Sequence, residues 1–491
     1  MDNNFRHFSI DESIIKALNV LGYTQPTEVQ KRVIPLLLDD KDVIVKSQTG
    51  SGKTAAFGIP VCERVEWEER APQVLVLTPT RELALQIKEE LFNIGRYKRL
   101  KVEAIFGKSS FQAQEKNLKQ RTHIVVATPG RLFDHIERGT INLTKIDTVI
   151  IDEADEMFTM GFIDQLDRIL KMLPRERTQA LFSATMPDAI QKFTKKFLKM
   201  PELIEIENQD TKKKRITQEY VYSENKMKAL EQFLILENPD SSIIFCNTKL
   251  MVDDVNHALK KMGADARALH GGMEQRDRSR VIQDFKRGYF RHLVATDVAA
   301  RGLDVSAIAL VINFDSPDSP ETYTHRIGRT ARFTNTGHAI SLVNDFDQEN
   351  FEAILAQEKA HLKKRVLPSV SEVAAVQQAF GLKQSQKPEV KKEQGFDFKE
   401  EIMKIHINAG KKQKMRAGDI VGALCQIDGM SATDIGVIQL LDISTFVEIL
   451  NHKGPEVLKA LQTLPIKGRL RNVNQANETR YEQDIRRQNR P

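Results

Sequence analysis

The chain has 491 residues, 41% hydrophobic and 29% charged, with a net charge of +6, which suits about two to four domains, each able to bury its own core. No apolar run is long enough to cross a bilayer, and Met1-Asp-Asn-Asn-Phe-Arg-His7 lacks the charged-then-apolar order of a secretory signal, so a cytoplasmic protein is expected. Three dispersed cysteines, Cys62, Cys246 and Cys425, argue against a disulfide framework or a zinc site and read as buried thiols, while the modest positive charge permits a polyanionic partner without demanding one.

Residues 1–207 alternate strand-like runs, at 42–46, 74–77, 123–127, 149–151 and 180–182, with longer amphipathic stretches. That alternation predicts a parallel sheet covered by helices on both faces. A polar, basic run at 208–216 reads as an interdomain linker. The alternation resumes over 217–365, with strands expected at 242–246, 264–269, 292–296, 309–314 and 338–343. Residues 366–398, rich in Gln, Lys, Glu and Ser, read as a flexible linker. Residues 399–475 then offer a strand at 403–407, a helix at 417–427, strands at 436–441 and 445–449, a helix at 456–464 and a strand at 468–473. That βαββαβ order is the layout of an RNA-recognition-motif domain. A polar tail, 476–491, closes the chain. The fold class is therefore α/β, two tandem parallel-sheet domains followed by a small α+β domain.

The stretch Thr148-Val-Ile-Ile-Asp152-Glu153-Ala154-Asp155 ends an apolar strand in three acids. Such acids can cap the next helix or hold a metal where a parallel strand ends. The second reading gains from Ser47-Gln48-Thr49-Gly50-Ser51-Gly52-Lys53-Thr54, a glycine-rich loop between a strand and a helix. Its backbone N–H groups and the helix N-terminus would cradle phosphate, Lys53 would reach the β and γ phosphates, and Thr54 would ligate Mg²⁺. Ser47 stands where the usual pattern has Gly. A Mg²⁺ ion that bridges phosphates needs only one or two carboxylates, which Asp152 supplies, leaving Glu153 to orient the attacking water. Further on, Arg326, Arg329 and Arg332 fall at i, i+3 and i+6. On one helix face they would converge on a single anion and supply the transition-state cation that the loop's own domain lacks.

Taken together, residues 5–365 resemble the DEAD-box ATP-dependent RNA helicases, whose motifs occur here in the family's order. The resemblance implies two RecA-like domains, ATP as cofactor with Mg²⁺, and RNA as partner. Gly22-Tyr23-Thr-Gln25-Pro26-Thr27-Glu-Val-Gln30, with Phe8 upstream, resembles the Q motif, so Tyr23 is expected to stack on adenine and Gln30 to bond its edge. By the same resemblance Asp304 contacts ribose, His325 positions water, and Arg329 and Arg332 are arginine fingers. Thr80, Arg81, Gly107, Thr128 and Arg131 of the first domain, with Gly272, Gln275, Arg278 and Thr296 of the second, are implied to hold RNA. Ser183 and Thr185 are implied to couple hydrolysis to strand separation, and Asp155 is expected to tie them to the metal site. Lys108 stands where the family has a second glycine.

In the C-terminal domain the third strand offers Phe446 for base stacking, a residue that also fits the core, so a different surface is better supplied. Lys411, Lys412, Lys414 and Arg416, with Lys467, Arg469 and Arg471, can form a basic rim for structured RNA. The helix start at Met415-Arg416-Ala-Gly418-Asp419-Ile420-Val-Gly422-Ala-Leu424 resembles the bacterial DbpA type of the family. That type implies a hairpin of large-subunit ribosomal RNA as target, pre-ribosomal particles as partners, no membrane partner, and a monomer. A general RNA-remodelling or RNA-decay helicase, or an ATP-gated clamp without productive unwinding, are the alternatives.

Overall fold

A computed structural model describes residues 4–47, 50–206, 216–300, 308–330, 336–358, 361–479 and 482–484. The first sheet contains β1 (Val43–Lys46), β2 (Val74–Leu77), β3 (Val102–Ile105), β4 (Ile124–Ala127), β5 (Thr148–Ile151), β6 (Thr178–Ser183) and β7 (Glu202–Glu205), all parallel, in the order β3-β4-β2-β5-β6-β1-β7. Successive residues of one strand feed opposite cores: Val74 and Val76 pack on one face of the sheet, Leu75 and Leu77 on the other. That two-sided burial is why the central strands read as unbroken apolar runs. The outer strands β3 and β7 were not expected from the sequence, because Glu103, Glu202 and Glu205 interrupt the apolar signal where an edge has only one neighbour.

The second sheet repeats this design with β8 (Ile216–Tyr222), β9 (Ser242–Phe245), β10 (Ala266–Leu269), β11 (His292–Ala295), β12 (Leu310–Asn313), β13 (Gly337–Val343) and β14 (Leu362–Lys364), in the order β10-β11-β9-β12-β13-β8-β14. The run 208–216 lies outside the described residues except for Ile216, which opens β8. In the C-terminal domain β15 (Met403–Ile407), β16 (Ile435–Leu440), β17 (Thr445–Ile449) and β18 (Val473–Gln475) form an antiparallel sheet ordered β16-β17-β15-β18, backed by helices Ala417–Leu424 and Gly454–Ala460. The last strand differs from the expected 468–473. Gly468 takes φ +70, Ile466 N donates to Arg469 O at 2.9 Å, and this reversal delays the strand to Val473.

Residues 366–398, expected to be a flexible linker, instead carry a helix, Val370–Ser385, on the second domain. Val373 and Phe380 are buried in that domain's core and Val376 packs against it, so i, i+3, i+7 spacing anchors a segment whose composition is polar. Cys62 and Cys246 are buried, but Cys425, expected to be buried, is exposed at the end of helix Ala417–Leu424. No described helix is long and apolar enough to cross a membrane.

Candidate functional site

The phosphate loop leaves β1 at Ser47 and enters helix Lys53–Arg64 through Gly52, whose φ is +91. A Cβ there would lie 2.7 Å from Gln30 Nε2, so both conformation and space demand glycine. Gln30 is engaged in local structure: its Oε1 accepts from Thr27 N (2.8 Å) and its Nε2 donates to Gly52 O (3.2 Å). Thr27 Oγ1 donates to Ser51 O (3.0 Å). The residue expected to bond the adenine edge therefore braces the loop that would hold the phosphates. Lys53 is buried and donates to Ser47 O at 3.2 Å, and Ser51 Oγ donates to Ser47 Oγ at 3.3 Å, so serine replaces the usual glycine without a positive φ. Thr54 follows in the first turn of the helix. Gln48 and Thr49 lie outside the described residues. Phe8 and Tyr23 flank Phe5, with ring centroids 6.1 and 6.4 Å from it, and Tyr23 Oη donates to Glu90 at 3.2 Å, while Gln25 is exposed nearby.

At the end of β5, Asp152 is buried and its Oδ1 accepts from Glu153 N at 3.0 Å. Glu153 takes the left-handed conformation, φ 52 and ψ 52, before helix Ala154–Thr159. A left-handed glutamate is strained, and the turn it makes points two acids at the phosphate loop. Burial raises the Asp152 carboxyl above its usual range, and Lys53 opposes the rise. Burial, then the neighbouring Asp152, pushes Glu153 up to about 7, while Lys53 and Arg329 pull it down. Asp155 turns away from the loop. Its Oδ2 accepts from Ala184 N (3.1 Å), Thr185 N (2.9 Å) and Thr185 Oγ1 (3.0 Å), and Asp155 N donates to Ser183 Oγ (3.3 Å). Asp155 is thus bonded directly to Ser183, Ala184 and Thr185.

The second domain closes the site from the other side. His325 Nδ1 lies 3.1 Å from Glu156 Oε1, and Arg329, itself buried, is near enough to Glu153 to stabilise its charged form. Arg326 does not converge with Arg329. Arg326 is 1% exposed and forks onto Asp297 (2.7 and 2.6 Å), with further bonds to Asp315 O and Asn247 Oδ1 (2.7 and 2.8 Å). Helix Pro320–Ile327 stops at Gly328, so spacing of three no longer means one face beyond Arg326. Arg332 and Asp304 lie outside the described residues.

Among the residues expected to touch RNA, several are engaged with protein. Arg81 donates to Gln275 Oε1 at 2.8 Å, and Arg278 pairs with Glu82 at 2.9 Å, so both Gln275 and Arg278 stitch the two α/β domains together. Arg131 donates to Ser109 O (3.0 Å) and Gln114 Oε1 (2.9 Å), which fixes the 107–110 loop from behind. Within that loop Lys108 adopts φ +54, the conformation a glycine would favour, and is exposed. Thr80 caps helix Arg81–Ile94 by accepting from Leu83 N (3.3 Å), Thr128 N donates to Ile105 O (2.9 Å), and Thr296 N donates to Leu269 O (3.3 Å). Gly107 and Gly272 both sit in turns beside these strand ends, Gly272 donating to His270 Nδ1 at 3.2 Å.

On the C-terminal domain Lys412, Lys414 and Arg416 are exposed and Lys411 half-buried. Lys467 bridges to Lys414 O (2.5 Å) and Asp419 (3.0 Å), which gathers one side of the rim, while Arg469 and Arg471 follow on the reversal before β18. Phe446 is not core: it is half-buried, its ring centroid lies 4.9 Å from that of His406 on β15, and Lys404 Nζ sits 5.1 Å above it. What sequence reasoning missed is the partnership of Glu82 and Glu156 with the second domain. Acids following RNA-type motifs gave no signal of where their partners would come from.

Comparison with known proteins agrees with this geometry. The DEAD/DEAH box helicase family matches residues 27–193, the helicase conserved C-terminal domain 225–334, and the DbpA RNA binding domain 404–475. The ATP-dependent RNA helicase DbpA of Bacillus subtilis is 49% identical over 97% of this chain and all of its own length. The chain belongs to the DEAD-box RNA helicases of the DbpA type. The helicase is also 42% identical to the DEAD-box ATP-dependent RNA helicase CshA of Geobacillus kaustophilus, over 77% of this chain and 81% of that one. Yeast Dbp5 bound to RNA and ADP BeF3 superposes with TM-score 0.69 at 32% identity, covering 77% of this chain and all of that one. The helicase is an ATP-dependent enzyme, and the ends of β1 and β5, where the second domain meets them, are its candidate nucleotide site.

The residues present fit a magnesium ion carried with the nucleotide. Asp152 and Thr54 offer hard oxygen ligands beside Lys53, and among the described residues no three His, Cys, Asp or Glu side chains gather into a metal site of their own.

Proposed function

We propose that the helicase is an RNA-dependent ATPase that locally unwinds short RNA duplexes during assembly of the large ribosomal subunit, after its C-terminal domain captures a ribosomal RNA hairpin. The observation that carries the hydrolysis in this reading is the split site, in which His325 Nδ1 of the second domain lies 3.1 Å from Glu156 of the first and Arg329 stabilises the charged form of Glu153. In this reading Lys53 and the loop amides hold the triphosphate, Tyr23 and Phe8 flank the base, and Asp304 meets the ribose. Asp152 and Thr54 would hold Mg²⁺, which would neutralise phosphate charge. Glu153 orients the attacking water with His325, and Arg329 and Arg332 stabilise charge on the transferred group. Each ligand favours the joined domains, so by linkage ATP and RNA bind cooperatively. Asp155 transmits the state of the nucleotide site through its bonds to Ala184 and Thr185. Contacts to phosphate and sugar leave the core indifferent to sequence, and the basic rim supplies preference. The protein works as a monomer in the cytoplasm, on pre-ribosomal particles.

ATPase stimulation by large-subunit ribosomal RNA, unrelated RNA and DNA tests the proposal. Strong preference for the ribosomal RNA is the expected result. Equal stimulation by every RNA would sink the hairpin reading in favour of a general RNA-remodelling helicase, and hydrolysis without strand separation would favour a clamp.

A further inference from the structure

The segment 386–402 and the domain after it take no part in the nucleotide site, yet they make extensive buried contacts. The chain leaves the second domain where Lys391 N donates to Arg287 O (2.8 Å) and Arg287 pairs with Glu393 (3.1 Å). It then crosses to the first domain. Gln394 Nε2 donates to Leu21 O (3.2 Å), and Phe398, 0% exposed, enters the first domain's core together with Ile402 and Leu450. The Phe398 ring lies 5.8 Å from Tyr97 and 4.8 Å from the Arg96 guanidinium. Around it Tyr97 Oη (2.6 Å) and Lys16 Nζ (2.5 Å) donate to Glu401, and Arg96 pairs with Glu448 of β17 at 2.7 Å. Burial opposes ionisation of Glu401, but the bonds from Lys16 and Tyr97 outweigh it and hold the carboxyl below its usual range.

A second contact lies farther out. Lys116, near the end of helix Phe111–Leu118, donates to both oxygens of Asp442 (2.6 and 2.7 Å), while Lys411 N and Lys412 N donate to Leu441 O and Asp442 O (2.8 Å each). The basic rim therefore abuts one end of a helix whose other end follows the Gly107–Ser110 loop. An eight-residue helix is about 12 Å long, a distance that a short run of extended strand can span. Cations crowd this border: burial first, then Arg121 and Lys411, hold the Lys101 ammonium below its usual range.

We propose that residues 386–402 are a strap that seats the C-terminal domain on the first α/β domain, so that Lys411, Lys412 and Lys414 and the Gly107–Ser110 loop form one RNA track along helix Phe111–Leu118. This rests on the RNA contact expected for Gly107 and on the role proposed above for the rim. A seated domain delivers captured RNA to the core at one distance, whereas a tethered one samples many.

The chain carries its own reporters. Trp67 is the single tryptophan, beside Arg99, which donates to Ala432 O of the C-terminal domain (3.2 Å), and Cys425 on that domain is the exposed cysteine. Energy transfer from Trp67 to a dye on Cys425 in the full-length protein reads the seating directly. Efficient transfer with one narrow distance distribution is expected, broadened in Phe398→Ala and in Lys16→Glu. The second variant breaks the half-exposed pair with Glu401 of the strap, away from the RNA track, and keeps the test valid should the first unfold. In parallel, hairpins joined to a short duplex by single-stranded spacers of graded length should stimulate the wild-type ATPase with a sharp optimum. Both variants should lose that optimum, with stimulation by saturating unstructured RNA unchanged. Low transfer in the wild type, or an optimum that both variants keep, would overturn the strap. Intact transfer with no preference for the hairpin would overturn the proposed substrate instead.

Discussion

The pair Glu82–Arg278 joins the two α/β domains with side chains only 9% and 12% exposed, so its energetic weight differs from that of a surface ion pair. Gln275 adds a bond to Arg81 at 2.8 Å beside it. A charged hydrogen bond in such surroundings contributes about 1.5–3 kcal/mol, which is roughly a 10- to 150-fold change in the equilibrium between joined and separated domains. If the proposed coupling holds, with RNA bound by the joined form, Glu82→Gln should weaken RNA affinity in the presence of a non-hydrolysable ATP analogue by that factor. In the proposed mechanism nucleotide without RNA is held mainly by the first domain, so its affinity should stay within about twofold, well under 1 kcal/mol. Fluorescence anisotropy of a labelled single strand, with and without analogue, measures both. Arg278→Gln should give the same loss, and the double variant little more, since either substitution already breaks the pair. Additive losses, or equal losses with and without nucleotide, would show that these residues act on RNA directly and would refute their assignment as an interdomain tie.

Three further outcomes follow from single residues. Gly52→Ala forces a Cβ to within 2.7 Å of Gln30 Nε2 at φ +91; calorimetry should show ATP binding lost and stability lowered by about 1–3 kcal/mol, and normal binding would contradict the close approach. Arg326→Gln leaves Asp297 without its fork, so urea unfolding should place the second domain about 3–5 kcal/mol lower, whereas a variant of native stability with impaired hydrolysis would return Arg326 to the reaction. Burial disfavours a charged His338, but Glu237 and Glu219, at 3.2 and 2.8 Å, prevail and raise its pKa. A raised pKa stabilises the fold fully below the unfolded value of about 6.5 and loses that contribution as pH rises through the folded value, so Tm should fall across that range and His338→Gln should flatten the profile.

The sequence made the chemistry legible wherever the signal was local. Strand β5 ending in Asp152 and Glu153, and the glycine loop after β1, needed only neighbouring residues to be read. Positions decided by distant partners were not legible. Arg326 and Arg329 share a spacing, but only the stop at Gly328 sends one into the core and leaves the other beside Glu153. Arg131, Gln275 and Arg278 carry the chemistry of phosphate contacts, yet their partners Ser109, Arg81 and Glu82 come from other loops or the other domain. The polar composition of 366–398 concealed Val373, Phe380 and Phe398, three buried anchors that turn an expected tether into packed structure.

The central claim is that the second domain completes the nucleotide site. Single-turnover hydrolysis by Arg329→Gln at saturating ATP and ribosomal RNA tests it most directly. The account predicts that nucleotide affinity without RNA is retained while the RNA-stimulated rate falls by about a thousandfold or more, the usual worth of an arginine finger. A stimulated rate within a few-fold of the wild type would contradict it.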